Sequence, residues 1–323
     1  MVRPIALGIL LAHAPLAEGR EAPGLLLPPG LGRPDVAWVS GTVQEEQHAA
    51  RGPKPVRTAR ALAASGLAGA EVEVGFLGRT VRVVSGRGGA FEAEVRAAPG
   101  EPFPPGVHPA EVIAGGATGQ ASVRVIPAEA PLLLISDFDD TVAITNVTSK
   151  RKLLAATFLE DAETQPAVAG MAALYRCLAA PDAPLAFVSG TPVQFGPRVA
   201  RFLDGNGFPP AALYLRRLGR KTLSGYKEPV LERLAARFPG VRFVLLGDTG
   251  ERDPEIYAAF ARTHPGRVAR TYLRKATAAA VPEARLAGAL LFEDPAVAAR
   301  DAAARGLADQ LCVAEAFGSA PSR

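Results

Sequence analysis

Hydrophobic and polar positions follow two different patterns along the chain, and the change falls near residue 130. Before this point, short runs alternate apolar with polar residues and are separated by glycine and proline, as in 70–76, 79–84 and 89–95. Alternation with a period of two is typical of strands that have one buried face. We therefore predict a β-sandwich-like accessory domain over residues 34–127, with a role in packing, positioning or partner binding.

After residue 130 the apolar runs are continuous, and patterns with helical spacing lie between them. The runs are 132–135, 185–188 and 241–246, and the helical patterns lie near 192–203, 254–261 and 295–304. A continuous run indicates a strand buried on both faces, as in a parallel sheet covered by helices. This alternation predicts an α/β doubly wound domain over residues 130–315. A chain of 323 residues is long enough for both domains.

The first continuous run ends in the pattern Asp-x-Asp-x-Thr, formed by Asp137, Asp139 and Thr141. Open α/β sheets bind ligands outside the carboxyl ends of their strands, and side chains two positions apart point to the same side. Two carboxylates in one small volume are costly unless they share a cation or a proton. A hard divalent cation is the simplest solution, and the pair suits phosphoryl transfer by a nucleophile and a general acid.

Two simpler interpretations of this motif are a helix N-cap and a calcium-binding loop, since Asp and Thr favour both. A calcium loop of the EF-hand type that began at Asp137 would need glycine at its sixth position and glutamate at its twelfth. The chain has Val142 and Thr148 there, so the spacing excludes this loop. The motif alone leaves capping and catalysis open.

Three further polar positions follow in order along the same α/β segment. Ser189 follows the second run, at the start of a helix led by proline, where a hydroxyl can bind phosphate oxygens. Lys227 lies at a helix start, where its charge can offset a nucleophile and a phosphate. Asp248 follows the third run and can complete a metal site. The simpler alternatives are a helix cap at Ser189, a solvated cation at Lys227 and a helix cap at the nearby Asp253.

Taken in order, these residues resemble the four motifs of the haloacid-dehalogenase-like superfamily. Within it, residues 130–310 resemble the catalytic domain of the actin-patch-protein phosphatidate phosphatases and their bacterial relatives. The resemblance implies that Asp137 is the nucleophile and Asp139 the general acid and base, with Ser189 and Lys227 as phosphate ligands. It also implies a magnesium site formed by Asp137, Asp248 and the Asp139 carbonyl, with Asp253 as an accessory acid of that site.

The resemblance also implies a Mg²⁺-dependent phosphatase that works through an aspartyl-phosphate, with phosphatidate or a related lipid phosphate as substrate. Dehalogenases lack an acid at the position of Asp139, so this residue favours phosphate esters. The chain departs from the family where Gly190-Thr191-Pro192 follows Ser189 in place of a serine-rich turn, which leaves the substrate open. The alternatives are a phosphatase for a soluble or protein-borne phosphate, and a non-catalytic metal- or ligand-binding surface protein.

Charge and cysteine content limit the classes of partner and of metal site that the sequence supports. The net charge of +4 is not concentrated in a long basic block, so we do not expect nucleic-acid binding. A basic cluster at residues 216–221, which includes Arg216, Arg217, Arg220 and Lys221, predicts peripheral contact with an anionic membrane; the alternative is a solvated loop. Four scattered histidines and two distant cysteines make no zinc site. Cys177 falls in a helical pattern and is expected in the core, while the redox state of both cysteines stays open.

The N-terminal residues predict export. A positive charge at Arg3 precedes an apolar stretch at 5–12 that is too short to span a bilayer, and Ala12-His13-Ala14 has the small-x-small pattern of a cleavage site. Residues 1–22 are therefore expected to hold a signal peptide and leader, and the protein to be periplasmic or secreted. The alternative is a cytoplasmic chain with an apolar N-terminal segment.

Overall fold

The computed structural model describes residues 23–45, 66–144, 165–179, 183–217 and 225–318. The expected signal peptide at 1–22 lies outside the described residues, as do Arg220 and Lys221 of the basic cluster. Within these ranges, no helix combines the length and the apolar character needed to cross a membrane.

In the described residues before 130, hydrogen bonds join eight strands into one sheet. The strands are β1 (Gly24–Leu26), β2 (Gly30–Arg33), β3 (Val36–Gln44), β4 (Glu71–Phe76), β5 (Arg79–Val84), β6 (Ala90–Arg96), β7 (Gly106–Ala114) and β8 (Ala117–Val125). Their order is β1-β3-β2-β8-β7-β4-β5, and β6 pairs with β3. Neighbours are antiparallel except β2 and β8, which run parallel. Two strands begin before residue 34, so the sheet starts earlier than the predicted domain; the sandwich arrangement stays a prediction.

Alternating side chains of this sheet build a separate apolar core. Val72, Val74 and Phe76 of β4 are buried, and they pack in one cluster with Val112 of β7 and Val123 of β8. The alternation visible in the sequence thus corresponds to one buried face along these strands.

Over the described residues after 130, six parallel strands form a second sheet that seven helices accompany. The strands are β9 (Leu132–Ser136), β10 (Leu185–Pro192), β11 (Ala211–Arg216), β12 (Arg242–Asp248), β13 (Val268–Arg274) and β14 (Leu290–Phe292). The helices are α1 (Met171–Leu178), α2 (Gly196–Gly205), α3 (Lys227–Arg237), α4 (Asp253–Thr263), α5 (Glu283–Leu286), α6 (Pro295–Ala304) and α7 (Gln310–Phe317). The strand order is β11-β10-β9-β12-β13-β14, and every neighbouring pair is parallel.

Both faces of this sheet are buried because successive side chains of each strand enter different cores. Leu132 and Leu134 pack with α1, α2, α6 and α7 on one face, whereas Leu133 and Ile135 pack with α3 and α4 on the other. Full burial of a leucine or isoleucine contributes about 1.5–3 kcal/mol, which explains the run of four apolar residues at 132–135. The assignment to the haloacid-dehalogenase-like fold class stays a prediction.

The strand order determines where polar side chains meet. β9 is central and pairs with β10 on one side and β12 on the other. The residues that follow these three strands therefore emerge together at one edge of the sheet. The main chain continues the pairing beyond β9, since the amide of Asp137 donates to the carbonyl of Leu246 at 2.9 Å.

Contacts across the two parts of the chain surround Trp38 of β3. The guanidinium of Arg237 lies 4.6 Å from the centroid of its indole ring, and Phe238 packs edge-on at 5.7 Å. Arg237 also forms an ion pair with Glu92 of β6. The first sheet thus rests on the end of α3.

A disulfide bond joins Cys177 of α1 to Cys312 of α7, with an S–S distance of 2.04 Å. Cys177 is fully buried and belongs to the core, as expected from the sequence. The pairing was not predicted, because 135 positions separate the two cysteines along the chain.

Candidate active site

Lys227 lies buried between two carboxylates. Its Nζ is 2.9 Å from Oδ1 of Asp137 and also forms a close ion pair with Oδ1 of Asp253. Asp137 directly follows β9, while Lys227 and Asp253 are the first residues of α3 and α4. Lys227 is 2% exposed and both acids are at most 1% exposed. The sequence alternatives, a solvated lysine and an aspartate that only caps a helix, do not fit this geometry.

Asp248 completes a cluster of three acids at the same edge of the sheet. One carboxylate oxygen from each of Asp137, Asp248 and Asp253 can be chosen so that all three lie within 4.8 Å of one another. Among the described residues, Oδ2 of Asp137 and Oδ2 of Asp248 are buried without a hydrogen-bond partner. Buried polar oxygens without partners are costly, and a hard divalent cation would satisfy both.

Asp253 differs from the other two acids because both of its oxygens are engaged. Oδ1 contacts Lys227, and Oδ2 accepts a hydrogen bond of 3.4 Å from the amide of Asp248. Asp137 and Asp248 therefore fit a cation directly, and Asp253 fits the role of counter-ion to the lysine. The backbone at Gly247 packs so closely against this site that a Cβ there would lie 2.8 Å from the Tyr257 ring, which is too short for a side chain at this position.

The charges of this cluster shift the pKa values of its members. Burial raises the pKa of Asp137 well above its ordinary value, and Lys227 only partly opposes this effect. Burial, together with the charge of Asp253, raises the pKa of Asp248 to about 7. For Lys227, burial lowers the pKa, but Asp137 and Asp253 outweigh it, so the net shift is upward. If all three acids were ionised, their charge would exceed what one lysine balances.

Asp139 points to a different set of partners. Its Oδ2 accepts hydrogen bonds from Ser189 at 3.1 Å and from Thr191 at 3.0 Å. Burial raises the pKa of Asp139, and the hydrogen bonds from Thr191 and Ser189 lower it by less. A raised pKa favours the protonated form, which is the state a general acid needs. The carboxylate of Asp139 does not belong to the three-acid cluster; a metal-binding role for its carbonyl stays a prediction.

The turn after β9 holds the third residue of the motif. Thr141 is buried, and within the described part of the chain its hydroxyl has no hydrogen-bond partner. Asp140 has a φ of 52°, in the left-handed region that residues other than glycine rarely adopt. Arg274, at the end of β13, donates to the Asp140 carbonyl and thereby ties this turn to a neighbouring strand end. No motif pointed to Arg274, and only its place at a strand end could have marked it.

A second arginine that the sequence did not reveal holds the loop after β12. Arg285 of α5 donates to the carbonyls of Thr249 at 3.1 Å and Glu251 at 2.9 Å. It also pairs with Glu255 at 2.6 Å. Within this loop, the amide of Glu251 donates a hydrogen bond of 3.2 Å to Oδ1 of Asp248. These bonds leave Oδ2 of Asp248 as the oxygen available to a ligand.

Two arginines of the basic cluster are bonded within the protein. Arg216 donates to the carbonyl of Gly190 at 3.0 Å, beside the hydroxyls that hold Asp139. Arg217 donates to the carbonyl of Gly41 at 3.3 Å, on the first sheet. Their contacts therefore do not support the predicted use of these two arginines for membrane docking.

The described fold and site define an α/β protein with a candidate phosphoryl-transfer centre at the carboxyl edge of a parallel sheet. Residues 132–275 match the family described as phosphatidate phosphatase APP1, catalytic domain. This match bears out the family resemblance predicted from the motifs.

Two fungal relatives match the same part of the chain. An uncharacterised protein of Schizosaccharomyces pombe is 32% identical over 167 residues, which are 47% of this chain and 27% of the relative. Phosphatidate phosphatase APP1 of Saccharomyces cerevisiae is 29% identical over 150 residues, which are 44% of this chain and 25% of the relative. The chain thus spans about a quarter of the length of either relative.

Among solved structures, a carbohydrate acetylesterase from Xanthomonas citri aligns with a TM-score of 0.32 and 15% identity, over 78% of this chain and 60% of that one. An amylomaltase from Corynebacterium glutamicum aligns with a TM-score of 0.15 and 11% identity, over 51% and 21%.

Proposed function

We propose that this protein is a Mg²⁺-dependent phosphatase that hydrolyses phosphate monoesters through an aspartyl-phosphate, with phosphatidate or a related lipid phosphate as substrate. The observation that carries the proposal is the position of Lys227 between Asp137 and Asp253, combined with the unpartnered oxygens of Asp137 and Asp248. The substrate class is supported by the family match and by the name of the yeast relative. We also propose the haloacid-dehalogenase-like fold class, supported by the all-parallel strand order and by helices on both faces.

The metal would be held by Asp137 and Asp248, whose oxygen ligands suit Mg²⁺. When bound, it supplies positive charge that neutralises the phosphoryl oxygens and favours the ionised form of both acids. Lys227 adds a fixed charge beside Asp137, and Asp253 holds that charge in place. Ser189 offers a hydroxyl to a phosphate oxygen at the end of the neighbouring strand.

The reaction then needs a nucleophile and a proton donor. A carboxylate oxygen of Asp137 attacks phosphorus, the bond between phosphorus and the ester oxygen breaks, and Asp139 protonates the departing oxygen. In the second half, Asp139 accepts a proton from the water that attacks the aspartyl-phosphate, which releases inorganic phosphate and restores Asp137. A non-catalytic metal-binding protein has no need for the two hydroxyls that hold Asp139.

We further propose that the protein is exported, as the N-terminal pattern predicts. The disulfide between Cys177 and Cys312 supports this location, because disulfides persist in oxidising compartments and are rare in the cytosol. Thiol titration of protein taken rapidly from its native cells tests this point. Two free thiols per chain would favour the cytoplasmic alternative. Peripheral contact with an anionic membrane is proposed on the substrate class alone.

The activity is tested with the purified full chain on three substrates: phosphatidate in mixed micelles, glycerol 3-phosphate and a phosphopeptide. We expect phosphate release from phosphatidate with Mg²⁺, none with excess EDTA, and recovery when Mg²⁺ is restored. Asp137→Asn is the control for contaminating phosphatases. Full activity in EDTA would contradict the metal requirement, and preference for the phosphopeptide would replace the lipid by a protein-borne phosphate.

A further inference from the structure

Two hydroxyl groups converge on one oxygen of Asp139. Oδ2 of Asp139 lies 3.1 Å from Oγ of Ser189 and 3.0 Å from Oγ1 of Thr191. The two hydroxyl oxygens are 2.9 Å apart, and the amide of Thr191 donates to Oγ of Ser189 at 3.0 Å. This places three polar groups of β10 around one acid of the turn after β9.

The protons available to this network separate the roles of the two hydroxyls. Each hydroxyl has a single proton to donate. When Thr191 donates its proton to Oδ2 of Asp139, Ser189 keeps its own proton for another acceptor, such as a phosphate oxygen. The hydrogen bond from the Thr191 amide holds Oγ of Ser189 in place, whichever acceptor the serine proton has. A bond from Thr191 to the acid therefore leaves the Ser189 proton available to the phosphate.

The two partners differ in rigidity. Thr191 is 2% exposed, has a β-branched side chain, and lies in a strand just before Pro192. Asp139 is half-buried and lies in a turn, next to the strained backbone of Asp140. The strand residue is thus the fixed element, and the acid is the one that needs orientation.

We propose that Thr191 is the positioning residue for the general acid: its hydroxyl holds Oδ2 of Asp139 so that Oδ1 faces the leaving oxygen. The inference rests on the proposed phosphatase activity and goes beyond it, since neither the motif nor the family resemblance assigned Thr191 a role. Thr191 acts through Asp139 and does not touch the reacting atoms.

Selectivity for the leaving group tests this role. An alkyl leaving group, as in phosphatidate, needs protonation, whereas p-nitrophenolate departs with little help. We compare kcat/KM, which reports the step in which the leaving group departs, for both esters in wild type and Thr191→Val. Loss of one hydrogen bond to the protonated acid predicts about a twofold to tenfold drop on the alkyl ester. We expect a much smaller drop on p-nitrophenyl phosphate, and little change in KM for either.

Two matched variants separate positioning from folding and from phosphate binding. Thr191→Ser keeps the hydroxyl and should restore most of the activity on the alkyl ester. Ser189→Ala removes a phosphate ligand and should lower both esters alike. Thermal unfolding checks that each variant is folded, and Thr191→Ala, which must show the same selectivity, replaces the valine variant if that one does not fold.

Equal losses of Thr191→Val on both esters, or no recovery in Thr191→Ser, would overturn the role of Thr191 while leaving the phosphatase activity intact. A wild-type protein that releases phosphate from neither ester would instead refute the proposed function, and the role of Thr191 with it.

Discussion

Replacing Lys227 with methionine should strongly destabilise the metal-free protein at neutral pH. Methionine is close to lysine in length and shape but carries no charge, so the change leaves Asp137 and Asp253 buried without the cation they share. Removal of one partner from a buried ion pair costs about 3–5 kcal/mol. Protonation of one carboxyl limits this cost: for an ordinary pKa near 4, it requires about 4 kcal/mol at pH 7. Both routes give a loss of about 4 kcal/mol.

The pH dependence distinguishes this explanation from a simple packing defect. At pH 5 the same protonation costs only about 1.4 kcal/mol, so the loss should shrink as the pH falls. The measurement is the free energy of unfolding from urea titrations at pH 7 and pH 5, in EDTA. The control is Lys275→Met, whose ion pair with the exposed Glu293 should contribute little to stability. The double variant Lys227→Met/Asp253→Asn should recover part of the loss.

A loss below about 1 kcal/mol at pH 7 would show that Lys227 does not balance buried acids, since it would match an exposed pair. An equal loss of unfolding free energy at both pH values would point to a packing defect, because the packing of an uncharged methionine does not depend on pH.

Three further predictions address the metal, the acids and the disulfide. Arg285→Ala should raise the Mg²⁺ concentration for half-maximal activity several-fold and leave activity at saturating Mg²⁺ nearly unchanged, because it frees the loop that carries Asp248; an unchanged Mg²⁺ titration would contradict this. Because the pKa of Asp248 is raised to about 7, the folded state keeps a proton between about pH 4 and pH 7 that the unfolded state has lost. The unfolding temperature in EDTA should therefore fall as the pH rises through this window. Asp248→Asn should flatten this dependence of the unfolding temperature on pH. A profile that Asp248→Asn leaves as steep as in wild type would count against the burial of this acid. Because 135 positions separate Cys177 from Cys312, loss of their bond should lower stability by up to about 5 kcal/mol in the chain-entropy account. Equal unfolding temperatures of the native protein and the Cys177→Ala/Cys312→Ala variant would refute this contribution.

The edge of the sheet that holds the candidate site could be predicted from the sequence because two signals coincide there. A strand buried on both faces is mostly apolar, so Asp137 and Asp248 stand out as the first acids after such runs. Parallel strands then bring their carboxyl ends to one edge without further information. This explains why acids more than one hundred positions apart could be placed together.

The detailed bonding could not be predicted, because many of its acceptors are backbone carbonyls, which every residue type presents. Arg216 and Arg217 looked like a free basic cluster, yet they donate to the carbonyls of Gly190 and Gly41. Arg285 holds its loop in the same way, from a helix that the sequence pattern did not indicate. The role of Thr191 likewise depends on a side-chain contact between two strand ends, and only the three-dimensional structure supplies that distance.

The most direct test of the account is to trap phosphate on the protein. Asp139→Asn, mixed with phosphorus-labelled p-nitrophenyl phosphate and Mg²⁺ and quenched in acid, should accumulate label, because the good leaving group departs unaided while hydrolysis lacks its base. Peptide mapping should place the label on Asp137, hydroxylamine should release it, and Asp137→Asn/Asp139→Asn should carry none. Label retained in the double variant, or none in Asp139→Asn while p-nitrophenol is released, would contradict an aspartyl-phosphate at Asp137.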